Sequence, residues 1–286
     1  MSQKPKGKYA SSSHRRRKSK ILPILVILAC VSALIFLASL WLAVGNQQKL
    51  KRMAQDVASI ATQSTLTLQS APTPAATTAA SEETTDPSTT VPTEPPEILP
   101  QFQELAAQNK DLVSWLTIED TPIDYPVMFS PNDPERYLHK NFDKAYSFAG
   151  LPFVDESCQV DQGNRIIYAH NMLDGSMFRS LIKYEQKNFW SAHPTIQFST
   201  LYQQEEYEVI AAFYDHVYRK DDTCFKFYQF YDTTDEALFD AAMAHYAEHQ
   251  LYDTGVKAQY GDKLLTLVTC SYHTDNGRFV VVARKK

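Results

Sequence analysis

Three side chains stand where apolar runs give way to polar loops. Cys270 ends Lys263-Leu264-Leu265-Thr266-Leu267-Val268-Thr269, which reads as a buried strand, and Ser271-Tyr272-His273-Thr274-Asp275-Asn276-Gly277 after it must be a loop. A thiol at such a junction is held by rigid backbone yet reaches solvent, which suits a nucleophile. His170 has the same address at the end of Arg165-Ile166-Ile167-Tyr168-Ala169, and Arg278 opens the final run Phe279-Val280-Val281-Val282. If these strand ends share one rim, each group has a task. A thiolate attacks a carbonyl, an imidazole shuttles protons near neutral pH, and a guanidinium donates hydrogen bonds to developing oxyanion charge. Position alone does not establish this set. A plain half-buried cysteine is the commoner case at such a site, and eight histidines allow many pairings.

The other polar features favour plainer readings. His245 and His249 stand four apart, a metal-compatible spacing, but His245-Tyr246-Ala247-Glu248-His249 is not HExxH, so an exposed helical face is expected. Cys270 and His273 form a C-x-x-H pair without a partner pair, a weak zinc signal, and no metal is expected. Cys158 and Cys224 remain open between a disulfide and free thiols. Cys30 lies within an apolar run, His193-Pro194 reads as a loop, and His14 belongs to a basic tail.

Seven short apolar runs must supply the scaffold: IDYPVMF, LPFVD, RIIYAH, TIQFS, YEVIAAFY, KLLTLVTC and RFVVVARK, all within residues 123–285. Turn-forming Gly, Pro, Asn and Asp separate them, which predicts a mostly antiparallel β barrel or sandwich. Phe102, Leu105, Ala106, Leu112 and Trp115 recur at roughly helical spacing, so 99–115 opens as a helix. Thr233 and Glu236 read as a capping box before a long helix over about 233–251. A second helical segment is expected after His170.

Over the whole chain of 286 residues, charge and hydropathy divide four stretches. Residues 1–20 hold eight cations and no acid, a basic cytoplasmic tail. Residues 21–44 run for 24 positions without a charge. As a helix they span about 36 Å against a hydrocarbon core of about 30 Å, longer than a secretory signal's usual apolar region, so an uncleaved transmembrane anchor is expected, with a cleaved signal peptide as the alternative. The basic flank puts the N-terminus inside and the remainder on the extracellular face. Residues 45–98 form the stalk. Its Thr/Ser/Pro/Ala-rich part, 61–98, has too few large apolar groups to order and reaches roughly 30–35 Å as a coil. Residues 99–286 form one domain in which 27 acidic side chains outnumber 17 basic ones. That balance excludes a phosphate backbone as partner, and no nucleic acid is expected.

Thr266-Leu267-Val268-Thr269-Cys270 resembles the TLxTC signature of sortases, the cysteine transpeptidases of Gram-positive surfaces. Arg278, eight residues later, matches their third catalytic position. Tyr168-Ala169-His170-Asn171-Met172 followed by Asp174-Gly175-Ser176-Met177-Phe178 is similar to the class B segment that carries the catalytic histidine. Trp115-Leu116, Ile123-Asp124-Tyr125-Pro126-Val127 and Tyr137-Leu138 match further, and the helix over 233–251 resembles the class B insertion. The likeness covers nearly all of 99–286. Two positions depart from the pattern: Ala169 stands where glycine commonly precedes the histidine, and Val268 where some members carry serine.

The resemblance implies a mainly β fold, a closed barrel of about eight strands with an N-terminal helix and a long helix inserted before the last strands. It implies Cys270, His170 and Arg278 as the catalytic set and Leu138, Thr269 and Phe225 as substrate contacts, with no cofactor. The implied donors are secreted proteins bearing a C-terminal LPxTG- or NPxTN-like motif. The implied acceptor is an amine of a lipid-linked peptidoglycan peptide. A pilin-polymerising enzyme with a lysine acceptor, a non-enzymatic surface binding domain and a zinc-dependent ectodomain are the alternatives.

Overall fold

The computed structural model describes residues 21–69, 96–158 and 163–286. Two compact units divide the chain between Gly45 and Asn46. The helix α1, Ile21–Gln69, begins in the first. There its apolar side chains lie open, with Ile35 at 65% and Trp41 at 76% exposure. By length and composition α1 is able to cross a membrane.

In the second unit eight strands close a barrel. They are β1 (Leu112–Thr117), β2 (Asp124–Met128), β3 (Phe153–Val154), β4 (Asn164–Tyr168), β5 (Thr195–Thr200), β6 (Glu206–His216), β7 (Leu264–Cys270) and β8 (Gly277–Lys285). The order around the barrel is β1-β2-β3-β4-β7-β8-β6-β5, and β5 pairs with β1 to close it. All seven apolar runs are strands. Two neighbouring pairs, β2/β3 and β4/β7, are parallel. Parallel strands need a long crossover, and the chain from β4 to β7 uses it to build β5, β6, a short 3-10 turn at Phe227–Gln229 and three longer helical segments. These are a 3-10 stretch Phe178–Glu185, α3 (Lys187–Ala192) and α4 (Glu236–His249), numbered after α2 (Pro100–Gln108). The continuous burial of Leu264–Thr269 explains why β7 reads as an unbroken apolar run rather than an alternating one.

Three expectations are corrected. The helix opening at 99 ends at Gln108, and Leu112 and Trp115 lie on β1. Asn109 turns the chain: its Oδ1 accepts from the Asp111 amide, and its Nδ2 donates to the Phe142 carbonyl and the Tyr137 hydroxyl. The long helix is capped by Asp235, which accepts from the Leu238 amide at 3.0 Å, rather than by Thr233. Asp232 holds the Thr234 amide and hydroxyl in a turn that delays the helix start.

The third correction concerns the stalk expected over 45–98. Residues 46–69 of it are helix, while 70–95 lie outside the described residues. Leu50, Met53, Ala54 and Val57 recur at i, i+3, i+4 and i+7, so one face of α1 is apolar. Met53, Ala54 and Val57 are buried with Phe102, Leu112, Trp115, Met128, Tyr137, Phe142 and Leu151, a cluster separate from the main core.

Candidate active site

Strand register places Cys270, Arg278 and His170 at or just past the same end of three neighbouring strands. Cys270 is directly opposite Arg278 across β7 and β8, so both side chains leave the same face. On the parallel β4/β7 pair Tyr168 is in register with Val268, and the Ala169 amide bonds the Val268 carbonyl at 3.2 Å. His170 and Cys270 thus each stand two residues past matched positions. Side chains fasten the two strand ends. The Thr269 hydroxyl donates to the Ala169 carbonyl and Asn171 Nδ2 to the Cys270 carbonyl, both at 2.8 Å. Arg179 in turn donates to Asn171 Oδ1 at 3.0 Å.

His170 Nε2 lies 3.1 Å from the Leu138 carbonyl. A carbonyl only accepts, so Nε2 carries the hydrogen and Nδ1 is the basic nitrogen of the neutral ring. The ring stacks on His139 at 5.4 Å between centroids. Burial lowers the His170 pKa below 6.5; the Leu138 bond opposes that shift, and charge on His139 adds to it. Leu138 ends a 3-10 turn, Arg136–Leu138. Gly150 fits against it with φ +58°, where a Cβ would lie 2.3 Å from the Leu138 carbonyl oxygen.

Arg278 is half-buried and donates from Nη1 to the carbonyls of Asn276 and Gly277, at 3.2 and 3.0 Å. On its other side the register sets Asp215 opposite Arg278. Asp215 is buried, with Oδ2 2.8 Å from His245 Nε2 and Oδ1 accepting from the His216 amide at 2.7 Å. Burial acts to raise its pKa but is outweighed by the bonds from His245, Tyr218 and the His216 amide, so the carboxyl stays below the usual range.

The remaining cysteines differ in environment. All four are free. Cys158 is buried, accepts from the Ile166 amide, and burial pushes its thiol up to about 12. Cys224 is exposed, and Cys30 lies on the open part of α1. His245 corrects the expected exposed helical face. It is buried against β6 because α4 turns Phe239, Ala242, His245 and Tyr246 inward. His249 stacks on it at 4.1 Å. Among the described residues no group of three or more His, Cys, Asp or Glu is arranged to hold a metal ion.

The expected substrate contacts are unequal. Leu138 is half-buried beside His170, and Phe225 is half-buried with its ring 5.1 Å from His245. Thr269 is buried and its hydroxyl is committed to Ala169. His139 and Asp215 carry no sequence signal. They meet His170 and Arg278 through loop packing and barrel register, which no local spacing encodes. Asn171 had one, adjacency to His170, but its bond to Cys270 depends on the parallel pairing.

Residues 116–286 match the Sortase domain family model. Sortase B of Listeria monocytogenes serovar 1/2a is 36% identical over 193 residues, spanning 65% of this chain and 74% of that protein. Sortase B of Staphylococcus aureus is 28% identical over 196 residues, spanning 65% and 75%. Among solved structures, the Staphylococcus aureus sortase B–substrate complex superposes with a TM-score of 0.58 at 25% identity, over 66% of this chain and 86% of that one. Sortase B from B. anthracis in complex with AAEK1 gives 0.56 at 30% identity, over 67% and 88%. The family match spans seven of the eight barrel strands and the end of the other, and on that ground the chain belongs to the sortase family, as a cysteine transpeptidase of class B.

Proposed function

We propose that Cys270 is the nucleophile, His170 the general acid and base, and Arg278 the oxyanion donor of this transpeptidase. The observation that carries this reading is the register of β4, β7 and β8, with Cys270 opposite Arg278 and His170 at the matching end of the neighbouring strand. Two of the other three thiols support it by contrast. Cys158 is buried with its pKa raised to about 12, and Cys30 belongs to the apolar helix. A nucleophile must ionise and be reached.

The donor is a secreted protein with a C-terminal LPxTG- or NPxTN-like motif. The Cys270 thiolate attacks the motif's threonine carbonyl, forming a C–S bond and a tetrahedral oxyanion that Arg278 stabilises. His170 protonates the departing amine as the peptide C–N bond breaks, leaving a thioester. An acceptor amine attacks the thioester carbon and gives a proton to His170 as the thiolate leaves. One peptide bond is broken and one amide made, so no redox partner or cofactor is needed. The acceptor we assign is the amine of a lipid-linked peptidoglycan peptide. The apolar stretch of α1 anchors the enzyme, with the N-terminus in the cytoplasm and the barrel outside, in keeping with the eight cations of residues 1–20. Leu138, Phe225 and the backbone at Thr269 border the groove.

The test uses the full-length protein in detergent micelles with peptides spanning LPxTG-, NPxTN- and PPxTG-like motifs. Wall-bridge peptides and a pilin-type lysine peptide compete as acceptors, and product masses are read. Cleavage after threonine with transfer to a wall-bridge amine is expected. Preference for the lysine peptide would give the pilin-polymerising reading instead. Unchanged transfer by Cys270→Ala would overturn the assignment of the nucleophile.

A further inference from the structure

One turn of α1 reaches both loops that flank His170. The first loop runs from Leu138 to Ser147 and is pinned as a hairpin by the Lys140/Tyr146 bridge and by the Ser147 amide on the His139 carbonyl. It supplies Leu138, whose carbonyl takes the His170 hydrogen bond, and His139, which stacks on the ring. The second runs from Asn171 to Met177 and closes with a bridge between those residues. It supplies Asn171, which holds the Cys270 carbonyl, and the Phe178 amide just after it bonds the His170 carbonyl at 2.9 Å.

Helix residues bond each loop at its turn. Asn141 Nδ2 donates to Asn46 Oδ1 at 2.9 Å, and Lys49 pairs with the Asp143 carboxylate. Asn141 Oδ1 also accepts from the amides of Asp143 and Ala145, so it shapes the hairpin tip. Gln47 Nε2 donates to Asp174 Oδ2 at 2.8 Å, while Asp174 Oδ1 takes the Ser176 amide and hydroxyl. A cavity of about 550 Å³ lies between this part of the helix and Tyr125, Asp174 and Met177. Gln47 and Asp174 both line it, so their bond ties the helix to the tip of the second loop, whose base is held by the Asn171/Met177 bridge and by the Met177 amide donating to the Tyr125 hydroxyl.

We infer that Asn46, Gln47 and Lys49 are positioning residues of the active site, clamping the two loops that hold His170 in place beside Cys270. The inference rests on the role proposed for His170. Buried Met53, Ala54 and Val57 fix the helix one to two turns further on, so the clamp is anchored by packing and acts through polar bonds at its end. A small displacement of a proton-transfer group costs far more in rate than in stability.

The test compares full-length wild type with Gln47→Ala, Lys49→Asp, Asp143→Lys and the Lys49→Asp/Asp143→Lys charge swap, in detergent micelles. The His170 ring resonance is followed by NMR on histidine-labelled protein, assigned with His170→Gln, and kcat and KM are measured separately. Lys49→Asp and Gln47→Ala are expected to shift or broaden the His170 resonance and lower kcat about tenfold or more, with KM held within about twofold. The charge swap is expected to restore the resonance and the rate. An unchanged resonance in both single variants, or a Lys49→Asp defect that the swap leaves in place, would overturn the clamp. The resonance is read without peptide. If wild type turned over no peptide, the role of His170 would fall while the clamp was still judged by NMR.

Discussion

His170 is half withdrawn from water, and burial with the charge of His139 lowers its affinity for protons below the ordinary value near 6.5. Attack requires thiolate beside imidazolium. That form is lost at low pH, once the thiol–imidazole pair of the free enzyme has taken up its second proton. The acid limb of kcat/KM, which reports the free enzyme, is therefore expected below pH 6.5. A limb at or above that value would contradict burial as the dominant influence. Arg278 is judged by substitution. Arg278→Ala is expected to lower kcat by about 10²–10³, roughly 2.7–4 kcal/mol, as for loss of an oxyanion donor. A loss under about tenfold in single-turnover acylation would assign it to substrate positioning instead. Cys270, His170 and Arg278 drew notice because each ends or begins a strand-like run, but the likeness to sortases rather than position made them the expected catalytic set. His139 and Asp215 drew none, since their neighbours come from distant segments.

At the scale of elements, the barrel brings β4, β6 and β8 together around a buried ion network. Arg165 Nη1 lies 2.9 Å from Glu205 Oε2, Lys285 Nζ lies 2.7 Å from Oε1, and the Tyr207 hydroxyl donates to Oε2 at 2.9 Å. Burial acts to raise the Glu205 pKa, but the Lys285, Arg165 and Tyr207 interactions together hold it below the usual 4.5. Glu205→Ala leaves the Arg165 guanidinium buried without this partner and is expected to cost about 3–5 kcal/mol in urea unfolding. The depressed pKa adds stability that is present above pH 4.5 and lost as pH falls through the folded-state value. Glu205→Gln should lack that part of the acid sensitivity; an identical acid profile would place it on other carboxylates. The strands were readable from apolar runs bounded by turn residues. β1 was not, because Leu112 and Trp115 continue a helical spacing that only the Asn109 turn interrupts. Barrel closure was implied by family likeness rather than by pattern, since alternation along a strand does not name its neighbour.

Across the whole molecule, the proposed anchoring predicts a fixed sidedness. In membrane vesicles with the extracellular face outward, added protease is expected to remove the barrel and leave a tag at Met1 protected. A protected barrel with a cleaved tag would reverse the orientation. The apolar stretch of α1 was plain in the sequence, whereas its continuation to Gln69 was hidden by composition. The Thr/Ser/Pro/Ala-rich tract drew attention from the apolar stripe Leu50, Met53, Ala54 and Val57, which is short and gains its stability from the barrel it covers.

The central claim is that acyl transfer passes through Cys270. The most direct measurement traps the thioester by mixing full-length enzyme with a cleavable motif peptide in the absence of an amine acceptor. Acid quenching, digestion and mass spectrometry then locate the acyl group. One acyl group on the peptide containing Cys270 is expected, absent in Cys270→Ala and retained in Cys158→Ala and Cys224→Ala. An acyl group on Cys158 or Cys224, or one that survives Cys270→Ala, would contradict the account.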